Sequence, residues 1–368
     1  MPAIRLLVLL GLLAAAAQGD WSPPRFNMSL DTPPSQRWEP LLKKYDPERL
    51  KHDIFQVVRT VAPQWAVAIV NMLAPVLSHI LPQPYGEEIE GICKFLGVNL
   101  GEGLLINFAY EALGSCTSIV VQDSRGMIFH SRNMDFPFTD ILRNVTIDIQ
   151  FVKNGQIVYK GTTFLGFVGL WTGQKANKFA ITGNDRAKDH WWKTAIAVLL
   201  KHYPSPSWLI RDTLAQAADF QEALGMLAYT PITSNVYFIL SGVKPDEGTI
   251  ITRNIKGPAN IWPLMSSKGE WYRVQTNYDH WKAPPPWDDR RTPTIHALEN
   301  TTQKNISLDT MFKILSTSPI LNRITVYTTL MCAAEPYEYR TVIRSPLPTV
   351  EYIIGDLQEM IYKNATMT

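Results

Sequence analysis

The 368-residue sequence predicts an α+β fold in which helices are layered on mainly antiparallel strands, and three observations carry that expectation. Residues 35–113 have helical periodicity punctuated by Pro and Gly, the pattern changes at Gly114 to short strand-like runs, and Asn154-Gly155 joins two of those runs as a strong hairpin signal. Composition agrees: 46% hydrophobic and 18% charged residues supply one large or two modest cores and exclude disorder as the dominant state.

Taken in order, the chain opens with Arg5 ahead of an apolar run at 6–17, with Ala17 and Gly19 at positions minus three and minus one of a cleavage site. Residues 1–19 therefore read as a secretory signal peptide, shorter than the ~20 residues of a bilayer-spanning helix. The mature chain begins near Asp20. Helices follow at 48–62, at two short runs starting at Trp65 and Met72, and at 87–95. The apolar stretch from Val61 to Leu81 is broken by Pro63, Gln64, Asn71, Pro75 and His79, so it covers a core or touches a membrane surface rather than spanning one. Strands are expected at 116–122, 127–132, 146–152 and 157–161, with a further apolar run at 164–170. Helices at 191–203 and 206–227 interrupt them. Strands resume at 236–242, 249–253, 271–276 and 325–330, with a short helix at 308–315 and a loop at Pro284-Pro285-Pro286.

Thirty-five basic residues against 33 acidic ones leave a formal charge of +2, too little field to hold nucleic acid. The three cysteines, Cys93, Cys116 and Cys332, allow at most one intrachain bridge. Five glycosylation sequons, at Asn27, Asn144, Asn300, Asn305 and Asn364, fit a chain sent into the secretory pathway. The seven histidines have no metal-ligand spacing, and neither a phosphate loop, a dinucleotide fingerprint nor a Gly-x-Ser-x-Gly elbow is present; no metal or cofactor is expected.

The chemistry gathers at Cys116. It stands in Leu113-Gly-Ser-Cys-Thr-Ser-Ile, where a Gly-Ser turn feeds a strand; an isolated strand cysteine is otherwise a small buried hydrophobe. Ser131-Arg-Asn-Met-Asp ends the next strand, so a hairpin would bring Arg132 and Asp135 close, as partners of Cys116 or as a strand-end ion pair. If the Ser115–Cys116 bond is cut, Cys116 carries both a thiol nucleophile and an α-amine that serves as its base. Arg132 then favours the thiolate and disfavours the protonated amine, and Asp135 orients the amine or passes a proton to it.

These motifs, with Asp288-Asp-Arg-Arg, resemble the N-terminal-nucleophile cysteine amidases of the cholylglycine hydrolase and acid ceramidase superfamily over nearly the whole mature chain. The resemblance implies an αββα sandwich made as a precursor that cleaves itself before Cys116 into a helical α subunit, 20–115, and a catalytic β subunit, 116–368, which stay together as a heterodimer. It places the nucleophile on Cys116, its companions on Arg132 and Asp135, the oxyanion donor on Asn277, a late arginine on Arg290 and a substrate-pocket wall on Trp171. Asp185 stands where glutamate is expected in the family's lysosomal members. The implied activity is lysosomal hydrolysis of fatty acid amides of ethanolamine, with saturated chains such as palmitoyl, at acidic pH. Hydrolysis of N-acylsphingosine and a non-catalytic luminal lipid-binding glycoprotein are the alternatives. With Cys116 reduced, Cys93 and Cys332 either bridge the two fragments or leave them associated through buried apolar helices, and the second is favoured.

Overall fold

The computed structural model describes residues 19–61, 70, 72, 81–111, 114–186, 203–335 and 337–345. Nearly all of the leader, the two short helices from Trp65 and Met72 save Val70 and Met72, the helix at 191–203 save Tyr203, and Asn364 lie outside the described residues, as does most of the stretch proposed for membrane contact. No helix among the described residues is long and apolar enough to cross a membrane.

Thirteen strands are described: β1 Arg25–Ser29, β2 Ser115–Gln122, β3 Ile128–Asp135, β4 Thr146–Lys153, β5 Gln156–Phe164, β6 Thr172–Lys175, β7 Phe179–Asp185, β8 Val236–Ser241, β9 Gly248–Arg253, β10 Pro258–Pro263, β11 Tyr272–Gln275, β12 Thr325–Cys332 and β13 Glu338–Ile343. The α-helices are α1 Glu39–Leu42, α2 Pro47–Val61, α3 Tyr85–Leu96, α4 Leu100–Glu111, α5 Thr139–Val145, α6 Pro206–Gln216, α7 Phe220–Tyr229, α8 Arg291–Thr301 and α9 Leu308–Leu315.

The strands form two sheets, in the orders β1-β4-β5-β6-β7-β8-β9-β10 and β11-β2-β3-β12-β13, antiparallel throughout except for the β1–β4 pair. Alternation along β2 explains their stacking. Val120 packs against Tyr237, Ile239 and Ile250 of the larger sheet, while Ile119 and Val121 face Leu298 of α8 and Met311 and Leu315 of α9. Helices α6 and α7 cover the far face of the larger sheet with Leu209, Leu214 and Leu227. The result is the αββα layering expected.

Local chemistry sets the boundaries. Asn154 and Gly155 both take positive φ, 50° and 75°, which closes the β4–β5 hairpin. The single helix expected at 206–227 is two, because Asp219 accepts hydrogen bonds from the backbone N–H groups of Gln221 and Glu222 and caps a new helix. The apolar run at 164–170 is not a strand beyond Phe164; the chain turns at Gly166, whose φ is 83°, and runs as a buried loop that delivers Trp171.

The N-terminal segment docks through buried polar contacts. Glu88 of α3 is fully buried and accepts hydrogen bonds from Trp38 Nε1 (2.9 Å), Arg37 Nη1 (3.1 Å) and Arg211 of α6 (2.7 and 2.6 Å). Beside it, Tyr85 stacks on Trp208 with ring centroids 4.7 Å apart and donates to Asp212 Oδ1 at 2.5 Å. All three cysteines are buried free thiols, and Cys93 and Cys332 belong to different cores. No disulfide ties the segment to the rest of the chain.

Candidate active site

The hairpin expected from sequence forms, and β3 runs three residues further than its pattern suggested. Ser115 therefore faces Asp135, Cys116 faces Met134, and Ser118 faces Arg132. Cys116 is 2% exposed at the start of β2, on the inner side of the smaller sheet.

Each companion is fixed by its own partners. Arg132, fully buried, donates from Nη2 to Cys116 Sγ and from Nη1 to the Trp171 carbonyl (2.7 Å) and Thr172 Oγ1 (3.1 Å). The loop after β5 thus aims the guanidinium at sulfur. Asp135, also fully buried, accepts from Thr325 Oγ1 (2.7 Å), Asn322 Nδ2 (3.1 Å) and Arg290 Nη1 (3.2 Å). Arg290 is held in turn by both oxygens of Asp288, at 2.6 and 2.9 Å, and reaches Thr117 Oγ1 at 3.2 Å.

Asn277 joins these groups. Its Oδ1 accepts from Arg290 Nη2 and from the Cys116 backbone N–H, both at 2.8 Å, while its Nδ2 donates to the Asp185 carbonyl at 2.8 Å and lies 3.5 Å from the Gly114 carbonyl. In the uncut chain the Cys116 peptide nitrogen is bonded by Asn277, and Asp135 is linked to it through Arg290. A neighbouring scaffold fixes β7 against β2: Asn184 accepts from Ser118 Oγ at 2.8 Å and donates to the Gln275 carbonyl at 2.9 Å.

The electrostatics follow from burial. Desolvation raises the Cys116 thiol above its ordinary value, Arg132 and Arg290 pull it back, and the Asp135 charge pushes it up. Desolvation likewise raises Asp135, opposed chiefly by Arg290. Burial disfavours charged Arg290, yet its bond to Asp288 and the Asp135 charge outweigh that and hold it protonated.

Cys116 opens on a small pocket lined by Glu111, Gly114, Met134, Phe136, Phe164, Trp171, Gly183 and Asp185. Trp171 is packed against Gly183, so a wall position and a core position are the same thing here. Of the sequons, Asn27, Asn144, Asn300 and Asn305 are exposed. Among the described residues no cluster could hold a metal ion. Sequence reading gave no role to Asp288 and Thr117, though both stand in the motifs it singled out, and missed Asn322, Thr325 and Glu111. Asp288 and Thr117 could have been found by adjacency to Arg290 and Cys116, whereas Asn322 and Thr325 carry no local signal.

Two family descriptions match the chain: the beta subunit of N-acylethanolamine-hydrolyzing acid amidase over residues 22–79, and the linear amide C-N hydrolases of the choloylglycine hydrolase family over residues 116–294. The mouse (Mus musculus) N-acylethanolamine-hydrolyzing acid amidase is 50% identical over 348 residues, 94% of this chain and 96% of the mouse protein. Human (Homo sapiens) acid ceramidase is 36% identical over 327 residues, 84% of this chain and 83% of the human one. The solved structure of a Caenorhabditis elegans ortholog of the same amidase is 36% identical, covers 63% of this chain and 100% of its own, and superposes with a TM-score of 0.57.

Proposed function

The chain belongs to the N-acylethanolamine-hydrolyzing acid amidase family, and from that premise we propose that it is a lysosomal enzyme that cleaves itself between Ser115 and Cys116 and then hydrolyses N-acylethanolamines to fatty acid and ethanolamine. Its activity as an amide hydrolase follows from that membership. The observation that carries the rest is the pairing at one residue: Cys116 Sγ receives the Arg132 guanidinium while its backbone nitrogen is held by Asn277.

In self-cleavage, Sγ attacks the Ser115 carbonyl carbon, the C–N bond to Cys116 breaks, and the thiol proton passes to the departing nitrogen. Water then hydrolyses the thioester and frees the Ser115 carboxylate. The released α-amine serves as base for the same thiol, which attacks the substrate amide. Asn277 Nδ2, already 3.5 Å from the carbonyl one residue upstream of the cut, donates to the oxyanion. Ethanolamine leaves with a proton and water releases the fatty acid from sulfur. Protonation of Asp135 at acid pH removes the anion that opposes the thiolate and leaves Arg132 and Arg290 beside it, which offsets part of what acid costs the thiol.

The match to the hydrolase family starts at Cys116, which supports the cut there. Identity is higher to the ethanolamide amidases than to acid ceramidase, which supports the smaller headgroup. The signal-peptide pattern and the exposed sequons support the lysosomal route. The test is reduced mass spectrometry before and after acid incubation, with hydrolysis of N-palmitoylethanolamine and of N-palmitoylsphingosine measured in parallel. A new N-terminus at Cys116, absent from Cys116→Ala, and preference for the ethanolamide are expected; a fully active chain with Cys116 internal refutes the scheme.

A further inference from the structure

Glu111 is the last residue of α4, four positions before the cleavage site, and it lines the pocket onto which Cys116 opens. It is 7% exposed. One carboxyl oxygen, Oε1, accepts from Ser205 Oγ at 3.0 Å and from Ser207 Oγ, both at the start of α6. The other, Oε2, is buried and has no hydrogen-bond partner. With Asp185, it is one of two carboxyl residues in a pocket whose other large side chains, Met134, Phe136, Phe164 and Trp171, are apolar.

Among the described residues no cation is paired with it. Of the described ionisable groups, Cys116 on β2 and Asp185 on β7 line the same pocket, Arg132 and Asp135 stand on β3 beside Cys116, and Arg211 and Asp212 lie on α6, which Ser205 caps. Arg132 is committed to sulfur and the Trp171 loop, Arg211 to Glu88, and Asp212 receives Tyr85. Burial raises Glu111 to about 7 against the opposing hydrogen bonds of Ser207 and Ser205, and no charge contributes.

We propose that Glu111, supplied by the N-terminal segment, couples occupation of this pocket by the substrate's hydrocarbon chain to a proton: the chain enters when the carboxyl is neutral and is rejected when it is ionised. The inference rests on the amidase reading, which puts an acyl chain beside Cys116. The physical reason is desolvation. Oε2 has no partner of its own, so an ionised Glu111 must draw water into the pocket to be solvated; a chain that fills the pocket excludes that water, and a carboxylate loses far more by that than a carboxylic acid does. By linkage, the acyl chain binds with proton uptake, and its apparent affinity falls about tenfold for each pH unit above the Glu111 value.

The experiment measures KM and kcat of the processed enzyme from about pH 5 to about pH 8.5 for a long-chain and a short-chain acyl ethanolamide, in wild type and Glu111→Gln. Wild type should show a KM for the long chain that climbs about tenfold per unit at the alkaline end, with no such climb for the short chain. Glu111→Gln should flatten that KM profile, whereas the kcat profile, set at Cys116, persists. Calorimetry of hexadecanol binding to wild-type enzyme in buffers of different ionisation heat checks the same point should the variant fail to process: uptake of about one proton is expected at the alkaline end. A flat wild-type KM, a Glu111→Gln KM that still climbs, or binding without proton uptake overturns the inference. Absence of amide hydrolysis at every pH would instead overturn the amidase reading.

Discussion

Arg290→Met isolates the ion pair behind the nucleophile. The Arg290 side chain is 4% exposed and the Asp135 side chain is fully buried, so the substitution strands a carboxyl that retains only Thr325 and Asn322 as donors. Breaking one side of a buried pair costs ~3–5 kcal/mol while the survivor stays charged. Burial already holds native Asp135 above its ordinary value, with Arg290 as the chief opposing influence, so loss of Arg290 raises it further. At a pH below both native values the carboxyl is neutral in either protein and the cost is smallest. Between the wild-type and the variant values only the variant binds the proton, so the cost grows by ~1.4 kcal/mol per pH unit as pH rises. Above the variant's value it levels off. The assay is urea unfolding of Arg290→Met against its parent at about pH 4.5 and about pH 7.5, both in a Cys116→Ala background that remains one chain. The destabilisation should be greater at the higher pH by ~2 kcal/mol or more. An equal loss at both would show that Asp135 and Arg290 are not coupled, and the account of the acid effect would fall with it.

Three further substitutions probe other parts of the fold. Glu88→Ala removes the acceptor shared by Arg37, Trp38 and Arg211, so the two fragments of the processed protein should separate on size exclusion at a urea concentration that leaves wild type associated, reflecting a loss of ~3–5 kcal/mol. Gly183→Ala places a Cβ 2.6 Å from Trp171 Cε3; displacement of the indole should cost ~1–3 kcal/mol in thermal unfolding and raise KM, and an unchanged KM would remove Trp171 from the substrate pocket. His130, bonded to Ser241 and Thr182, is pushed down to about 3 by burial and then by the charge of Arg132. Its native value lies below the unfolded ~6.5, so stability is lost as pH falls through that value, by up to ~1.4 kcal/mol per unit. His130→Gln should therefore gain ~2 kcal/mol relative to wild type on going from about pH 7 to about pH 5, read by thermal unfolding.

What could be read from the sequence was what local chemistry dictates. Asn154-Gly155 specified its hairpin, and alternation along 116–122 specified the strand that carries Cys116. The pair Arg132 and Asp135 was legible because a hairpin folds residues of known spacing onto one another. Strands β6 and β7 were less visible, being short and rich in Gly, Thr and polar residues buried on both faces, so no alternation marks them. The run at 164–170 deceived because a buried loop needs apolar residues as much as a strand does. Asn322 and Thr325 were beyond reach: they meet Asp135 across 187 and 190 residues of chain, a relation that only the sheet order creates.

A chain end is ordinarily where a protein is least ordered, yet the end that a cut before Cys116 would make is already stitched into a sheet. Cys116 lies opposite Met134, Ser118 is flanked by Arg132 on one side and Gln275 on the other, and the next three residues are buried without exposure. Such a terminus cannot fray as a tail does. The orientation of thiol and amine is thus settled when the strand pairs, once per molecule, and each turnover inherits it without having to order the nucleophile again.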